Sequence, residues 1–296
     1  IAFNLDKYFK SCSACGKQGL TMAMGFGCNT VGITGCRIID SPRERLIAVL
    51  TNNFVPCNGR FPGMIAMVSV MFAGGGLLGG VMQTLVLTGV ILMGIGLTFL
   101  TSKLLSKTLL RGEPSSFTLE LPPYRRPQIG RVIIRSILDR TFFVLGRAAA
   151  AAAPAGLILW ILTNTKAGGE TLLVHISGFL DPLGRLLGMD GTILMAFLLG
   201  LPANEIVLPI MLMGYLSQGN LDAASGITGL TSILRQNGWT FQTALCTLVF
   251  YLMHWPCLTA CITIYRETRS LKWTVTAILL PTLFGSILCI LLGVLL

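Results

Sequence analysis

The sequence predicts an all-α fold: a polytopic transmembrane helical bundle with two internally repeated gate modules containing broken helices. Three observations predict it. The chain is apolar and poor in charge, several apolar stretches are long enough to cross a bilayer, and Gly- and Pro-containing breaks interrupt those stretches in two similar pairs. Of 296 residues, 53% are hydrophobic and 11% charged, and the mean hydropathy is +0.76. A soluble domain carries about 25% charged residues. This chain lacks the polar surface that water contact on every side requires, so a lipid bilayer is its main solvent.

The clearest spans are 79–101, 148–164, 191–217, 240–264 and 273–296. Each is near or above the roughly 20 residues that cover about 30 Å of hydrocarbon. Residues 63–77 form a shorter apolar run, and 18–39 form one interrupted by glycine. Backbone in lipid must satisfy its own hydrogen bonds, which makes these segments helices rather than open strands. Three parts follow: a first gate module with its following spans (1–101), a basic connection (102–147), and a second gate module with the C-terminal spans (148–296).

The formal net charge is +10, and nine of the 22 basic residues lie in the connection, from Lys103 and Lys107 through Arg111, Arg125, Arg126, Arg131, Arg135 and Arg140 to Arg147. Only Glu113, Glu120 and Asp139 oppose them there. A basic loop between apolar spans is what the positive-inside rule expects of a cytoplasmic connection. A platform for anionic lipid or nucleic acid is the alternative; no nucleic-acid partner is expected. Residues 102–130, with PPYRRP, read as loop, whereas 131–146 sets Val132, Ile133, Ile137, Leu138 and Phe142 among arginines, the pattern of an interfacial helix. Segment 171–188 is apolar but too interrupted to span and reads as a surface or re-entrant piece, with His175 structural. The chain opens at Ile1 without the basic start, apolar core and cleavage site of a signal peptide, and an upstream part is expected. Nine cysteines lie mostly inside apolar segments, unlike a secreted disulfide framework.

The breaks carry the chemistry. Gly25-Phe26-Gly27-Cys28-Asn29 and Gly200-Leu201-Pro202-Ala203-Asn204 share the form G-x-[GP]-x-N, and each is followed later by a Pro-Cys break, FVPC at 54–57 and HWPC at 254–257. Transporters with internal repeats place the substrate between such unwound helices near the midplane. Polar groups at that depth are costly and usually functional. Glu205 stands between Leu198-Leu199 and Ile206-Val207-Leu208, and Pro209 cannot donate to its carbonyl, so one residue can offer both a carboxylate and a backbone oxygen. A buried Glu205 paired with Arg37 or Arg60 is the competing reading. Pro56 and Pro256 likewise free the carbonyls of Asn52 and Leu252 beside Cys57 and Cys257. Soft thiolates favour late first-row metals over Mg²⁺ or Ca²⁺, so Cys28, Cys57, Cys257, His254 and Glu205 suggest a borderline-soft divalent ion such as Fe²⁺. A path must release its ion, which excludes a closed tetrathiolate site. Each cysteine alone reads equally well as a small packing residue, and Cys246, Cys261 and Cys289 are assigned to packing. Cys12-Ser13-Ala14-Cys15 is a lone C-x-x-C and a weak signal. Gly74-Gly75-Gly76 and Gly79-Gly80 are not a nucleotide loop, since no Gly-Lys-Ser/Thr follows.

At these residues the chain resembles the membrane region of the ferrous iron transport protein B (FeoB) family. The resemblance rests on GFGCN at 25–29, R-x-x-[DE]-x-x-R-[DE]-R-L from Arg37 to Leu46, and PCxxRxP at 56–62. In the second half it rests on PANEIVLPI at 202–210, WTxxTALC at 239–246, HWPC at 254–257, RETxSxKWT at 266–274 and LLPTxxG at 279–285. It implies two gate repeats in an all-helical transport domain of the inner (plasma) membrane, with Fe²⁺ as the transported substrate. It further implies an upstream GTPase domain and helical linker, with GTP and Mg²⁺ on that domain and no cofactor here. Small cytoplasmic accessory proteins and a homo-oligomer are compatible with it. By this match Cys28 and Asn29 fall on the first gate, Asn204 and Glu205 on the second, and Cys57, Arg60 and Cys257 on the Pro-Cys segments. The full metal set is therefore Cys28, Asn29, Cys57, Asn204, Glu205, His254 and Cys257. Many members carry a Val-Pro-containing stretch and Ala-Thr-Arg after GFGCN; this chain runs from Thr30 to Arg37 without proline and adds Cys36.

Transport of another divalent metal or of a nucleoside-like solute is the second reading. A nucleoside site would want stacking aromatics and amides, whereas thiols at three breaks favour metal. A non-transporting scaffold predicts that the polar break residues are replaceable. An intramembrane enzyme is the weakest reading, because there is no HExxH and no serine–histidine spacing that suggests a dyad.

Overall fold

The computed structural model describes residues 2–12, 14–72, 76–112, 130, 133–134, 143–167, 170–218 and 227–295. The expected loop of 113–129 lies outside them, as does most of the expected interfacial helix at 131–146.

The chain is an all-α membrane helical bundle. Its helices are α1 (Ala2–Lys10), α2 (Lys17–Gly27), α3 (Asn29–Gly35), α4 (Pro42–Thr51), α5 (Phe61–Met71), α6 (Gly76–Lys107) and α7 (Phe143–Asn164) in the first part of the chain. The remainder are α8 (Leu172–Leu186), α9 (Gly191–Leu199), α10 (Val207–Gln218), α11 (Ile227–Gln236), α12 (Phe241–Met253), α13 (Leu258–Thr268) and α14 (Leu271–Leu295). Single 3₁₀ turns at Cys36–Ile38, Asn52–Phe54 and Asn204–Ile206 mark irregular joints. A small antiparallel ladder, β1 (Lys166–Ala167) with β2 (Glu170–Thr171), was not expected from the pattern; it is only two residues per strand.

Local signals set the helix starts. Ser41 caps α4 through the Glu44 amide, with Pro42 at the first helical position where no donor is missed. Asp190 caps α9 through the Ile193 amide at 2.8 Å, and Thr240 caps α12 through the Thr243 amide at 3.2 Å. The chain breaks at Cys28 and again after Leu199, so 191–217 is not one helix but α9 and α10 separated by Gly200–Ala203 and a 3₁₀ turn.

Among the described residues, three helical segments are long and apolar enough to cross a membrane: Gly76–Lys107, Phe241–Thr268 and Leu271–Leu295. The pair α8 and α9, bent by 108°, makes a fourth if read as one broken span. The segment expected to be surface or re-entrant forms α8, whose sharp bend onto α9 fits a re-entrant loop as well as a broken span, with His175 exposed and its Nδ1 3.2 Å from the Thr171 carbonyl. On α14 the side chains of Leu271, Val275, Leu279, Leu283, Ile287 and Leu291 are exposed at every fourth position. In water such a stripe would be an aggregation surface; against acyl chains it is the solvent-facing side. The interior instead gathers Phe54, Met64, Phe197, Tyr215, Phe250, Tyr251 and Leu252. Phe197 packs edge-on against Phe250 and Tyr251, with centroids at 4.9 and 5.3 Å, the favoured aromatic geometry.

Asp190 does more than cap α9. Its second oxygen accepts the Tyr215 hydroxyl, which in turn accepts the Trp239 indole N–H at 2.8 Å. Asp190→Ala removes the cap and leaves the hydroxyl proton of Tyr215 without its acceptor. A loss of about 1–2 kcal/mol is expected, read as a lower thermal midpoint in detergent.

Candidate functional site

At the first break, α2 stops at Gly27 and α3 restarts at Asn29, with Cys28 extended at φ −157°, ψ 124°. In the second, α9 stops at Leu199 and the 3₁₀ turn restarts at Asn204, with Ala203 extended at φ −152°, ψ 124°. The fourth residue of each G-x-[GP]-x-N motif thus takes nearly the same backbone, and the asparagine after it is buried in both. The residue after each Pro-Cys cysteine then docks on the broken helix of its own half. Asn58 N–H donates to the Gly27 carbonyl at 3.4 Å and Leu258 N–H to the Leu201 carbonyl at 2.8 Å.

The structure brings Cys57, Asn204 and His254 together, one from each of three breaks. Asn204 Nδ2 lies 3.8 Å from Cys57 Sγ and its Oδ1 3.2 Å from His254 Nε2. The Asn204 carbonyl accepts the Tyr251 hydroxyl at 3.0 Å. His254 Nδ1 faces two carbonyls, Tyr251 at 2.9 Å and Phe250 at 3.2 Å, so it carries the ring proton. A neutral ring then has its lone pair on Nε2. That asks Asn204 to turn its NH₂ toward Nε2 and its oxygen toward the Cys57 thiol, since amide N and O are assigned by their partners. The imidazole becomes a ligand only when the amide moves aside.

The other residues stand around this contact. Glu205 is exposed, and a Cβ on Gly59 would lie 2.9 Å from its Oε1, so its carboxylate sits over the Cys57–Arg60 turn. It takes neither of the arginines considered for it. Arg37 forms a two-pronged ion pair with Glu267 at 2.9 and 2.7 Å, and Arg60 is held by carbonyls. Cys28 is exposed at the first break, and Cys257 is half-buried at the start of α13, within electrostatic range of Cys57, Arg60 and Cys28. Asn29 is buried with its Oδ1 unpartnered. Among the described residues, no three His, Cys, Asp or Glu side chains are grouped to hold a metal.

Sequence reasoning underrated Arg60. Its guanidinium is fully buried and donates to the carbonyls of Asn53 at 3.0 Å, Leu252 at 2.6 Å, His254 at 3.0 Å and Trp255 at 3.2 Å. The Leu252 carbonyl freed by Pro256 is therefore taken by Arg60 rather than offered to an ion, and the Asn52 carbonyl accepts Val55 N–H at 3.5 Å. The available signal was an arginine inside an apolar Pro-Cys segment, a charge that burial obliges to find partners.

Comparison with known proteins agrees with this architecture. The model described as "Ferrous iron transport protein B C terminus" matches residues 87–139, and the gate model described as "Nucleoside recognition" matches 145–271. A protein named "Fe(2+) transporter FeoB" from Staphylococcus aureus is 29% identical over 97% of this chain and 42% of its own length. One of the same name from Methanocaldococcus jannaschii is 24% identical over 99% of this chain and 43% of its own. A "Fe(2+) transport protein A/Fe(2+) transporter FeoB fusion protein" from Porphyromonas gingivalis is 25% identical over 94% and 37%. The chain thus spans about two fifths of the length of these curated relatives. No solved structure matches it. The chain is similar along nearly its whole length to part of these proteins named Fe(2+) transporter FeoB.

Proposed function

We propose that this chain forms a pathway for ferrous iron across the membrane, lined by the gate residues Cys28, Asn29, Cys57, Asn204, Glu205, His254 and Cys257. The single observation that carries the reading is the meeting of a thiol, an amide and an imidazole from three separate helix breaks, with a carboxylate beside them. These are ligands of mixed softness held by groups that can part. That suits an ion in transit better than one stored, because conduction needs binding weak enough to reverse.

The paired backbone of Cys28 and Ala203, and the paired docking of Asn58 and Leu258, support an internal duplication of the gate module. In this reading Fe²⁺ is cargo. The further length of the relatives would carry the GTPase domain that powers or regulates passage, with GTP and Mg²⁺ bound there. The name of the Porphyromonas gingivalis fusion protein supports a small accessory protein as partner. The membrane is the inner (plasma) membrane.

Transport of a nucleoside-like solute draws on the description of the gate model, but the rings near the gate are committed elsewhere. Phe197, Phe250 and Tyr251 are buried and packed on one another and on His254, so these three rings are not free to stack on a base.

Metal uptake in cells by the full-length protein tests the proposal, comparing wild type with Glu205→Ala and Cys28→Ser. Both side chains are exposed at the breaks, so folding should survive their loss. Fe²⁺ accumulation should fall for each at equal expression. Unchanged accumulation in both would remove these residues from the path.

A further inference from the structure

A second set of polar groups lies inside the first module, and of the gate residues only Asn29 belongs to it. Gln18, Thr21 and Asn29 from the α2–α3 side, Thr51, Asn52 and Asn53 from the end of α4, and Thr98, Thr101 and Ser102 from α6 are all buried, none more than 3% exposed. They belong to elements packed on one another. Gln18 Nε2 reaches Thr51 Oγ1 at 2.9 Å and Ser102 Oγ at 3.2 Å, and Asn52 Nδ2 donates to the Asn29 carbonyl at 3.1 Å. The Asn52 amide occupies the room left by two missing side chains. A Cβ on Gly32 would fall 2.6 Å from its Oδ1 and one on Gly25 3.1 Å from it, with Asn29 Oδ1 3.5 Å from the Gly25 position.

What remains unpaired is lopsided. Gln18 Oε1, Asn29 Oδ1, Asn52 Oδ1 and Asn53 Oδ1 are buried acceptors without a donor, and Thr101 Oγ1 is also unpartnered, against a single unpaired amide donor in the cluster, Asn53 Nδ2. Orphaned buried polar groups in a native protein signal a water or ion that completes them. An excess of acceptors excludes an anion and asks for a donor or a positive charge.

Position decides between a pocket and a route. Thr98, Thr101, Ser102 and Ser106 lie on one face of α6, and Gly94 on the same helix approaches the Phe54 carbonyl at the first Pro-Cys segment. The 12 residues from Gly94 to Ser106 rise about 18 Å, close to the half-thickness of roughly 15 Å of hydrocarbon. The stripe therefore runs from gate level to the membrane face where Lys103 and Lys107 begin the basic connection.

We infer that this stripe is a hydrated cation track, in which a divalent ion keeps part of its water and exchanges the rest for the amide oxygens of Gln18, Asn29, Asn52 and Asn53. Neutral oxygens hold such an ion without trapping it, and Asn29 hands it to the gate because it adjoins Cys28. The inference rests on the reading of the chain as a cation pathway, and its test is separable from that reading. Thr101→Cys and Ser102→Cys, each nearly isosteric, are introduced into the full-length protein in native membranes. A hydrophilic methanethiosulfonate reagent is applied with and without Mn²⁺, and labelling is read per peptide by mass spectrometry. Cys289, fully buried against Cys246, serves as the internal dry reference. Labelling of either new cysteine should run about tenfold faster than that of Cys289, and Mn²⁺ should slow it by about half. Labelling at the Cys289 rate for both would make the stripe dry packing and overturn the track. Fast labelling indifferent to Mn²⁺ would overturn the cation assignment. Labelling and Mn²⁺ protection in a protein that fails to accumulate Fe²⁺ would leave the track standing and remove the proposed cargo.

Discussion

Arg60→Met is expected to leave little folded protein at the membrane. The substitution preserves much of the side-chain volume but strands the carbonyls of Asn53, Leu252, His254 and Trp255 in an interior that water does not reach. Each unpaired buried group costs about 1–3 kcal/mol. Together these losses approach the roughly 5–15 kcal/mol that separates a typical folded domain from its unfolded chain. Arg60→Lys keeps the charge yet presents a compact ammonium in place of a planar fork, so it should rescue only in part. The yield of monodisperse full-length protein in detergent, and its thermal midpoint, measure both. Wild-type yield and midpoint for Arg60→Met would show that the four contacts contribute nothing to stability.

Gly63→Ala is expected to be damaging although it adds a single methyl group. A Cβ at this position in α5 would sit 2.3 Å from Tyr251 Cζ and from the Tyr251 hydroxyl. Tyr251 is fully buried and edge-on to Phe197, so the ring has nowhere to go. Its hydroxyl also holds the Asn204 carbonyl. Overpacking of this kind costs about 1–3 kcal/mol, which outweighs the gain of up to about 1 kcal/mol that alanine brings to a helix. Gly96→Ala in α6 isolates the second term, since a Cβ there meets nothing within 4 Å, and it should be neutral or stabilising. Fe²⁺ uptake should fall with Gly63→Ala and not with Gly96→Ala. Adding Tyr251→Leu to Gly63→Ala should restore stability relative to the sum of the single changes, the non-additivity expected of residues in contact.

Much of this architecture is legible in the sequence because membrane burial enforces simple rules. The spans announce themselves by length and hydropathy, and the breaks by glycine and proline, so the interruptions at Cys28, Ala203 and His254–Cys257 fall where the motifs place them. What is not legible depends on partners distant along the chain. Arg60 and Leu252 are separated by 192 positions, and nothing local says that one will take the carbonyl that Pro256 releases. The orientation of Asn204 between Cys57 and His254 has the same origin. Asn52 marks a break in the sequence, but only the closeness of Gly25 and Gly32 explains why its amide is turned inward. Asp190 shows no local sign of its role in holding Tyr215, because the two are 25 positions apart.

The shared guanidinium also divides the gate into parts that can and cannot move. The segments before Pro56 and Pro256 are tied to one planar group, so they separate only by releasing every tie at once, and a hinge there would be stiff and cooperative. The α9–α10 break is tied instead through separate groups: the Tyr251 hydroxyl on the Asn204 carbonyl, the Leu258 amide on the Leu201 carbonyl, and the Asn204 side chain between Cys57 and His254. Any separation of these segments would therefore meet its stiffest resistance at Arg60, where one planar group holds carbonyls from both Pro-Cys segments.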